Sequence, residues 1–202
     1  MTHDIRMIIP VRSLADGKRR LETVLSDKVR QALIHELFEH VLKTACDVSA
    51  PRSICVATAD DALAAIACSR GCAVSRDDGD DLNAALAEAA RMMTSQGADA
   101  VLVLHADLPC LRPDDIRAMM EARRGRSVIA AADKHGAGTN AVLLSPPDVI
   151  AFAFGTDSLR AFQRRAESAG AYFAELRRPG LAFDLDTPDD LANWRAYRPP
   201  SA

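Results

Sequence analysis

Several short stretches of this sequence hold residue types suited to handling phosphate and metal. Asp107 comes one residue, Ala106, after Val101, Leu102, Val103, Leu104 and His105, a run apolar enough to be a wholly buried strand. A carboxylate at such a strand end is where Mg²⁺ is held, because that ion takes one or two carboxylates and fills its shell with phosphate oxygens and water. A turn or N-cap aspartate ahead of Pro109 is the competing reading, and His105 reads as a satisfied histidine of the core or as one that supports the neighbouring metal ligand from behind. A second acidic stretch is FDLDTPDDL, residues 183–191. Asp184 and Asp186 alternate there on an extended segment, so they point the same way. One of them is expected to be the second metal ligand, while Asp189 and Asp190 suit the start of a helix.

The loop RSLADGKRRL (12–21) sets Arg12, Lys18, Arg19 and Arg20 around Gly17 after the first apolar run. Such a loop can neutralise a polyphosphate, with lysine as a point charge and arginine as a fork. It lacks the spacing of a Walker A loop. In GDDLNAAL (79–86), Asp80 or Asp81 reads as a helix cap, and Asn83 carries an amide that can pair with the edge of a base. HGAGTNA (135–141) offers Thr139 beside glycines, and FGTDSL (154–159) puts Gly155 and Ser158 at a helix start, where free backbone N–H groups favour anions. A hairpin turn and a helix cap are the plainer readings of these two.

The elements that must carry these loops alternate. Strand-like runs at 7–11, 53–57, 72–75, 101–105, 127–133, 140–145 and 172–176 are separated by helical patterns. Ser26 is expected to cap a helix through about Thr44, with Val29, Leu33, Leu37 and Val41 on one face. Further helices are expected from Asp60 or Asp61, around Asn83, from Pro113, over 157–168 and over 188–197. Continuously apolar strands alternating with helices predict an α/β fold, a three-layer sandwich with a mostly parallel, Rossmann-like sheet. Ligands of such sheets bind at the carboxyl ends of the strands, where the unusual loops lie.

With 202 residues, 49% of them hydrophobic, the chain is expected to form one domain over 1–202. A formal net charge of −3 gives no basic field for nucleic acid or anionic lipid, so an anionic ligand must be held locally. No apolar run is long enough to span a bilayer and the start lacks a leader pattern, which predicts a cytoplasmic protein. Cys46, Cys55, Cys68, Cys72 and Cys110 are odd in number and without paired spacing, and read as reduced core residues.

The order IPVR…KRRL, DLNAAL, ADLPCL, GAGTNA, FGTDSL, DLDTPDDL resembles the CofC/FbiD family of guanylyltransferases within the MobA-like nucleotidyltransferases, over residue 8 to about 194. That resemblance implies a nucleotide-diphospho-sugar transferase type of fold. It implies a Mg²⁺-dependent transfer of GMP from GTP to the phosphate of a three-carbon acid, with release of pyrophosphate, in coenzyme F-420 biosynthesis. The acid is 2-phospho-L-lactate, phosphoenolpyruvate or 3-phospho-D-glycerate. The family's metal aspartates match Asp107 and Asp186, and its acceptor-binding residues match Thr139, Gly155 and Ser158. Its nucleotide-binding elements match the first loop, with Lys18 and Arg20 in place of the K-x-R-L pair, and Asn83. Arg12 stands where members commonly have lysine, which keeps the charge and changes the contact geometry. The resemblance also admits a homodimer and hand-over of the product to the next transferase of the pathway.

Chemically, Lys18 and Arg20 would take charge developing on the leaving pyrophosphate, and no general base is required. Two alternatives remain at this stage. Molybdenum-cofactor guanylyl- or cytidylyltransferases usually carry a glycine-rich L-x-G-G-x-S-x-R-x-G-x-D-K loop, which SLADGKRRL lacks. A non-catalytic nucleotide-binding module would not need both metal carboxylates.

Overall fold

A computed structural model describes residues 4–15, 17–76 and 81–197. Among these residues seven strands form one sheet: β1 (Ile5–Pro10), β2 (Ile54–Ala57), β3 (Ala73–Ser75), β4 (Ala100–Leu104), β5 (Ser127–Ala132), β6 (Thr139–Ser145) and β7 (Tyr172–Leu176). Their order is β3-β2-β1-β4-β6-β5-β7. β6 pairs antiparallel with both β4 and β5, and every other pairing is parallel. The reversal follows from the chain between β5 and β6, which is too short for a crossover and can only turn back. It brings the start of β6, with Thr139 and Asn140, to the same sheet edge as the end of β4.

Among the described residues, seven α-helices accompany the sheet: α1 (Asp27–Cys46), α2 (Asp61–Ser69), α3 (Leu82–Ser95), α4 (Pro113–Glu121), α5 (Ser158–Ser168), α6 (Pro179–Ala182) and α7 (Pro188–Tyr197). Strand residues divide by parity between the two faces. Met7, Ile9, Leu102, Leu104, Ile129 and Leu143 meet Phe38 and Val41 of α1, Leu63 of α2, Ile116 of α4 and Leu181 of α6. Ile8, Val101, Val103, Val128 and Val142 meet Leu86 and Met93 of α3 and Leu159 and Phe162 of α5. These two cores on one sheet make the α/β three-layer sandwich with a mostly parallel sheet that the apolar strands predict.

A third, smaller cluster joins Leu21, Leu33 and Leu37 to Leu185 and Leu191. It fixes the acidic segment: Leu185 is fully buried, and its N–H donates to Asp107 O at 3.1 Å. Residues 183–186 form no regular strand.

Some local expectations change. Ser26 occupies the N-cap of α1 with extended backbone, but its side chain makes no capping bond. Val29 is 47% exposed, and the buried face of α1 runs instead through Arg30, Leu33 and Leu37. Asp60 caps α2 by accepting from Ala62 N and Leu63 N, and Asp81 caps α3 by accepting from Asn83 N. Asp80 lies outside the described residues. α4 starts too far downstream for Asp107 to be its cap. Cys55 and Cys72 are buried, with thiols pushed up to about 12 mainly by burial, whereas Cys68 is exposed, unlike the core cysteine expected. Among the described residues no helix is long and apolar enough to cross a membrane.

Candidate active site

The end of β4, the loop after β1 and the 183–187 segment converge on one cavity of about 790 Å³. Its walls include Arg12, Lys18, Arg20, Leu82, Asp107 and Asp186. At its centre Lys18 Nζ donates to Asp107 Oδ2 and to Asp186 Oδ1, at 2.5 Å each. The lysine side chain is 10% exposed, Asp107 24% and Asp186 41%, so the pair of carboxylates faces the opening while the ammonium plugs the floor.

The loop conformation delivers Lys18 there. Gly17 N–H donates to Ser13 O, and Leu14 N–H to Asp60 Oδ2, which ties the loop to the start of α2. A Cβ on Gly17 would fall 2.7 Å from Ile34 Cδ1, so the loop lies close against α1 and a larger residue there would have to displace that side-chain tip. Arg30, on α1 and nearly buried, donates from Nη1 to Ala15 O at 3.0 Å and Gly17 O at 2.5 Å. Lys18 itself has φ 55, the left-handed region, which turns its side chain back over the sheet edge.

Electrostatics lock this arrangement. Burial opposes the charge on Lys18, but Asp107 and Asp186 outweigh it and hold the ammonium above its ordinary value. Burial likewise works against Asp107, and Lys18 with His105 more than offsets it, leaving the carboxyl below the usual range. Asp184 goes the other way: burial and the charge of Asp107 raise it, and Lys134 only partly compensates. Lys134 Nζ also donates to Asp184 O at 3.1 Å and Asp190 Oδ1 at 2.5 Å. Asp190 in turn accepts from Asp186 N and Thr187 N, and Thr187 Oγ1 accepts from Asp190 N. This capping box starts α7 and anchors Asp186 from behind.

The donor set suits a hard divalent cation. Asp107 Oδ1 is buried and has no hydrogen-bond partner among the described residues. Asp186 stands beside the other oxygen of Asp107, on the shared lysine. Among the described residues no group of three or more His, Cys, Asp or Glu converges as a metal cage. Two carboxylates and an open side fit Mg²⁺, which completes its shell with phosphate and water.

Thr139 and Ser158 are brought together, Ser158 Oγ lying 3.1 Å from Thr139 Oγ1, both buried where β6 begins beside the end of β4. Gly155 has φ +135, a conformation that favours glycine, in the turn that leads to Ser158. These three are not on the cavity wall; Thr139 begins β6, whose pairing of Ala141 with Leu104 sets it beside the end of β4. Arg12 and Arg20 are exposed, with no side-chain hydrogen bond or ion pair among the described residues.

Two residues depart from expectation. Asn83 does not present its amide to the cavity: Nδ2 donates to Phe154 O at 3.0 Å, and Phe154 N–H donates to Oδ1 at 2.8 Å. His105 is not satisfied, because its Nε2 is buried without a partner among the described residues. Its ring packs on Phe154 at 4.9 Å, and burial pushes its pKa down, with Lys18 adding to the effect and Asp107 opposing it. Arg30 and Lys134 were not singled out as site residues by the sequence. Lys134 had a signal in its place just after a strand, whereas Arg30 looks like any polar helix residue.

The chain matches the family described as guanylyl transferase CofC like over residues 5–194. It is 35% identical over 195 residues to the phosphoenolpyruvate guanylyltransferase of Sphaerobacter thermophilus, covering 96% of this chain and 94% of that one. The enzyme of the same name from Rubrobacter xylanophilus is 37% identical over 198 residues, with 95% and 96% covered. The 3-phospho-D-glycerate guanylyltransferase of Colwellia psychrerythraea is 31% identical, with 92% and 88% covered. In fold the chain is similar to a nucleotidyl transferase from Methanothermobacter thermautotroptrophicus, with TM-score 0.69, 16% identity and 96% of each chain covered.

Proposed function

The chain belongs to the CofC-like guanylyl transferase family, and we propose that it transfers GMP from GTP to the phosphate of phosphoenolpyruvate, releasing pyrophosphate, as a step of coenzyme F-420 biosynthesis. The names of its relatives favour phosphoenolpyruvate over the other three-carbon acids. A second reading, with 3-phospho-D-glycerate as acceptor, rests on the Colwellia relative. The observation that carries the reading is the convergence of Asp107, Asp186 and Lys18 inside a cavity whose walls include Arg12 and Arg20.

In the reaction, an oxygen of the acceptor phosphate attacks the α-phosphorus of GTP. The new oxygen–phosphorus bond forms as the bond to the β-phosphate oxygen breaks, and pyrophosphate leaves with the electron pair. The second pKa of a phosphate monoester is about 6, so the nucleophile is already dianionic at neutral pH and no base is needed. His105, with its pKa pushed down by burial, stays neutral and is not required as an acid.

The difficulty is bringing two polyanions together, and positive charge in a partly dry site meets it. Arg12 and Arg20, exposed at the loop, receive the outer phosphates as forks. Lys18 is positioned to move from the carboxylates to the α- and β-phosphates as they enter. Asp107 and Asp186 would hold Mg²⁺, which supplies charge neutralisation at the reacting phosphates. Thr139, Gly155 and Ser158 align the acceptor through hydroxyl and backbone N–H groups, and alignment of this kind is a large part of such catalysis.

Incubation with Mg²⁺, each nucleoside triphosphate and each of the three phospho-acids, with pyrophosphate release and product mass as readouts, tests the assignment. GTP with phosphoenolpyruvate is expected to give the guanylylated acid. No release with GTP and any of the three acids would overturn it.

A further inference from the structure

Asn83 stands in the first turn of α3, next to Leu82 of the cavity wall. Its amide forms a two-bond pair with the backbone of Phe154, 71 residues away. Residues 151–154 have no regular secondary structure, yet Phe154 is only 9% exposed. A buried backbone N–H and C=O outside a ladder must find partners, and here one side chain serves both, as a neighbouring strand would.

The next residues are the ones assigned to the acceptor. After Phe154 come Gly155 at φ +135, Asp157 at φ 54 and Ser158 on Thr139. Two left-handed residues in so short a turn mean that its position is set by its ends. Arg165 holds the earlier part, donating to Ala151 O at 2.9 Å and also to Phe152 O. Asn83 holds the last point before the turn. The Phe154 ring is packed against His105 at 4.9 Å and edge-on to Phe162 at 5.1 Å, so the same residue touches the cavity wall and α5.

We infer that Asn83 is a positioning residue: it fixes the Gly155–Ser158 turn to the start of α3, and thereby sets the acceptor geometry instead of reading the base. The inference rests on the acceptor assignment of the proposed function. A base reader presents its amide edge to the ligand, whereas this edge faces the protein backbone. Replacing it leaves the loop phosphate contacts intact and frees the turn.

The test uses Asn83→Ala together with the isosteric Asn83→Asp, which keeps an acceptor for Phe154 N–H and sets a charge against Phe154 O. Amide hydrogen exchange, followed by mass spectrometry on the full chain, should show peptides covering 151–158 exchanging at least about tenfold faster in both variants, with β1 and β4 unchanged. The KM for phosphoenolpyruvate should rise about tenfold or more, while the Kd for a non-hydrolysable GTP analogue stays within about twofold. A weakened analogue Kd with an unchanged acceptor KM would overturn the inference in favour of base reading. Unchanged exchange across 151–158 would overturn it whatever the kinetics. If the wild-type protein does not turn over, the exchange result still decides whether Asn83 holds the turn, and the loss of the enzymatic reading is seen separately.

Discussion

Lys18 Nζ and Asp107 Oδ2 lie 2.5 Å apart across 89 residues of chain, and the same ammonium reaches Asp186. The lysine therefore occupies the space between the two carboxylates that a cation on them would need. It competes with a divalent ion for the same oxygens, and an incoming triphosphate offers it another partner. Nucleotide should then strengthen metal binding, and by linkage metal should strengthen nucleotide binding equally. In Lys18→Met the competition is gone. Calorimetry with Mn²⁺ alone is expected to show affinity raised on the order of tenfold, with the nucleotide-dependent enhancement reduced by a similar factor. Mn²⁺ affinity unchanged by the substitution would reject the competition. Turnover of that variant should still fall, because the phosphates lose their point charge.

Asp107→Asn removes the carboxylate charge at the end of β4 but keeps its shape. Loss of an electrostatic contribution of several kcal/mol at the reacting phosphates predicts a drop in kcat on the order of 10³-fold. Lys18 keeps Asp186 as a partner, so the folding cost should be about 1 kcal/mol, a shift in Tm of about 2–4 °C for a chain of this size. Asp114→Asn, at an exposed carboxylate paired with Arg117, is the control and should change neither. Pyrophosphate release and a thermal melt read the two effects apart, and full turnover in Asp107→Asn would remove the aspartate from the chemistry.

Arg30 acts on Lys18 through the backbone. Its guanidinium spans Ala15 O and Gly17 O and also meets Asp27, which fixes the loop in the turn that leaves Lys18 left-handed. Arg30→Met keeps the stem packed and removes the fork. The loop should loosen, and the KM for GTP should rise roughly tenfold while the acceptor KM stays within about twofold. Arg30→Lys should behave almost as badly, since an ammonium cannot bridge two carbonyls with fixed geometry. Equal rises in both KM values would instead mean that the fold as a whole has relaxed.

The layered fold and the meeting of Asp107 and Asp186 were legible because they depend on local patterns. Continuous apolar strands imply helices on both faces, and an aspartate after such a strand has few plain explanations. Leu185 between Asp184 and Asp186 is itself a sign, since one buried residue turns both neighbours outward. The destinations of Asn83 and Arg30 were not legible. Each is a polar residue near a helix start, and what it bonds is decided by chain that arrives from elsewhere, Phe154 in one case and the 13–18 loop in the other. α6 is too short at four residues for periodicity to reveal. Val29 fits the apolar repeat of α1, yet it is 47% exposed while Arg30 beside it is buried.

Asp190 links the acidic segment to acid stability. Burial opposes its charge, but Lys134 and the N–H groups of Thr187 and Asp186 prevail and lower its pKa to about 2. In the unfolded chain an aspartate titrates near about 3.9. A folded-state value below the unfolded one means stability that is complete above the unfolded pKa and disappears as pH falls through the folded pKa. The shift corresponds to about 2.5 kcal/mol, present at pH 7 and lost between roughly pH 4 and pH 1. Asp190→Asn removes that linkage together with the ion pair to Lys134. Urea unfolding of wild type and variant should therefore differ by about 2.5 kcal/mol at pH 7 and converge only below the folded pKa, near about pH 1. A difference that stays constant over this range would show that Asp190 supports α7 through shape and neutral hydrogen bonds, with no contribution from its charge.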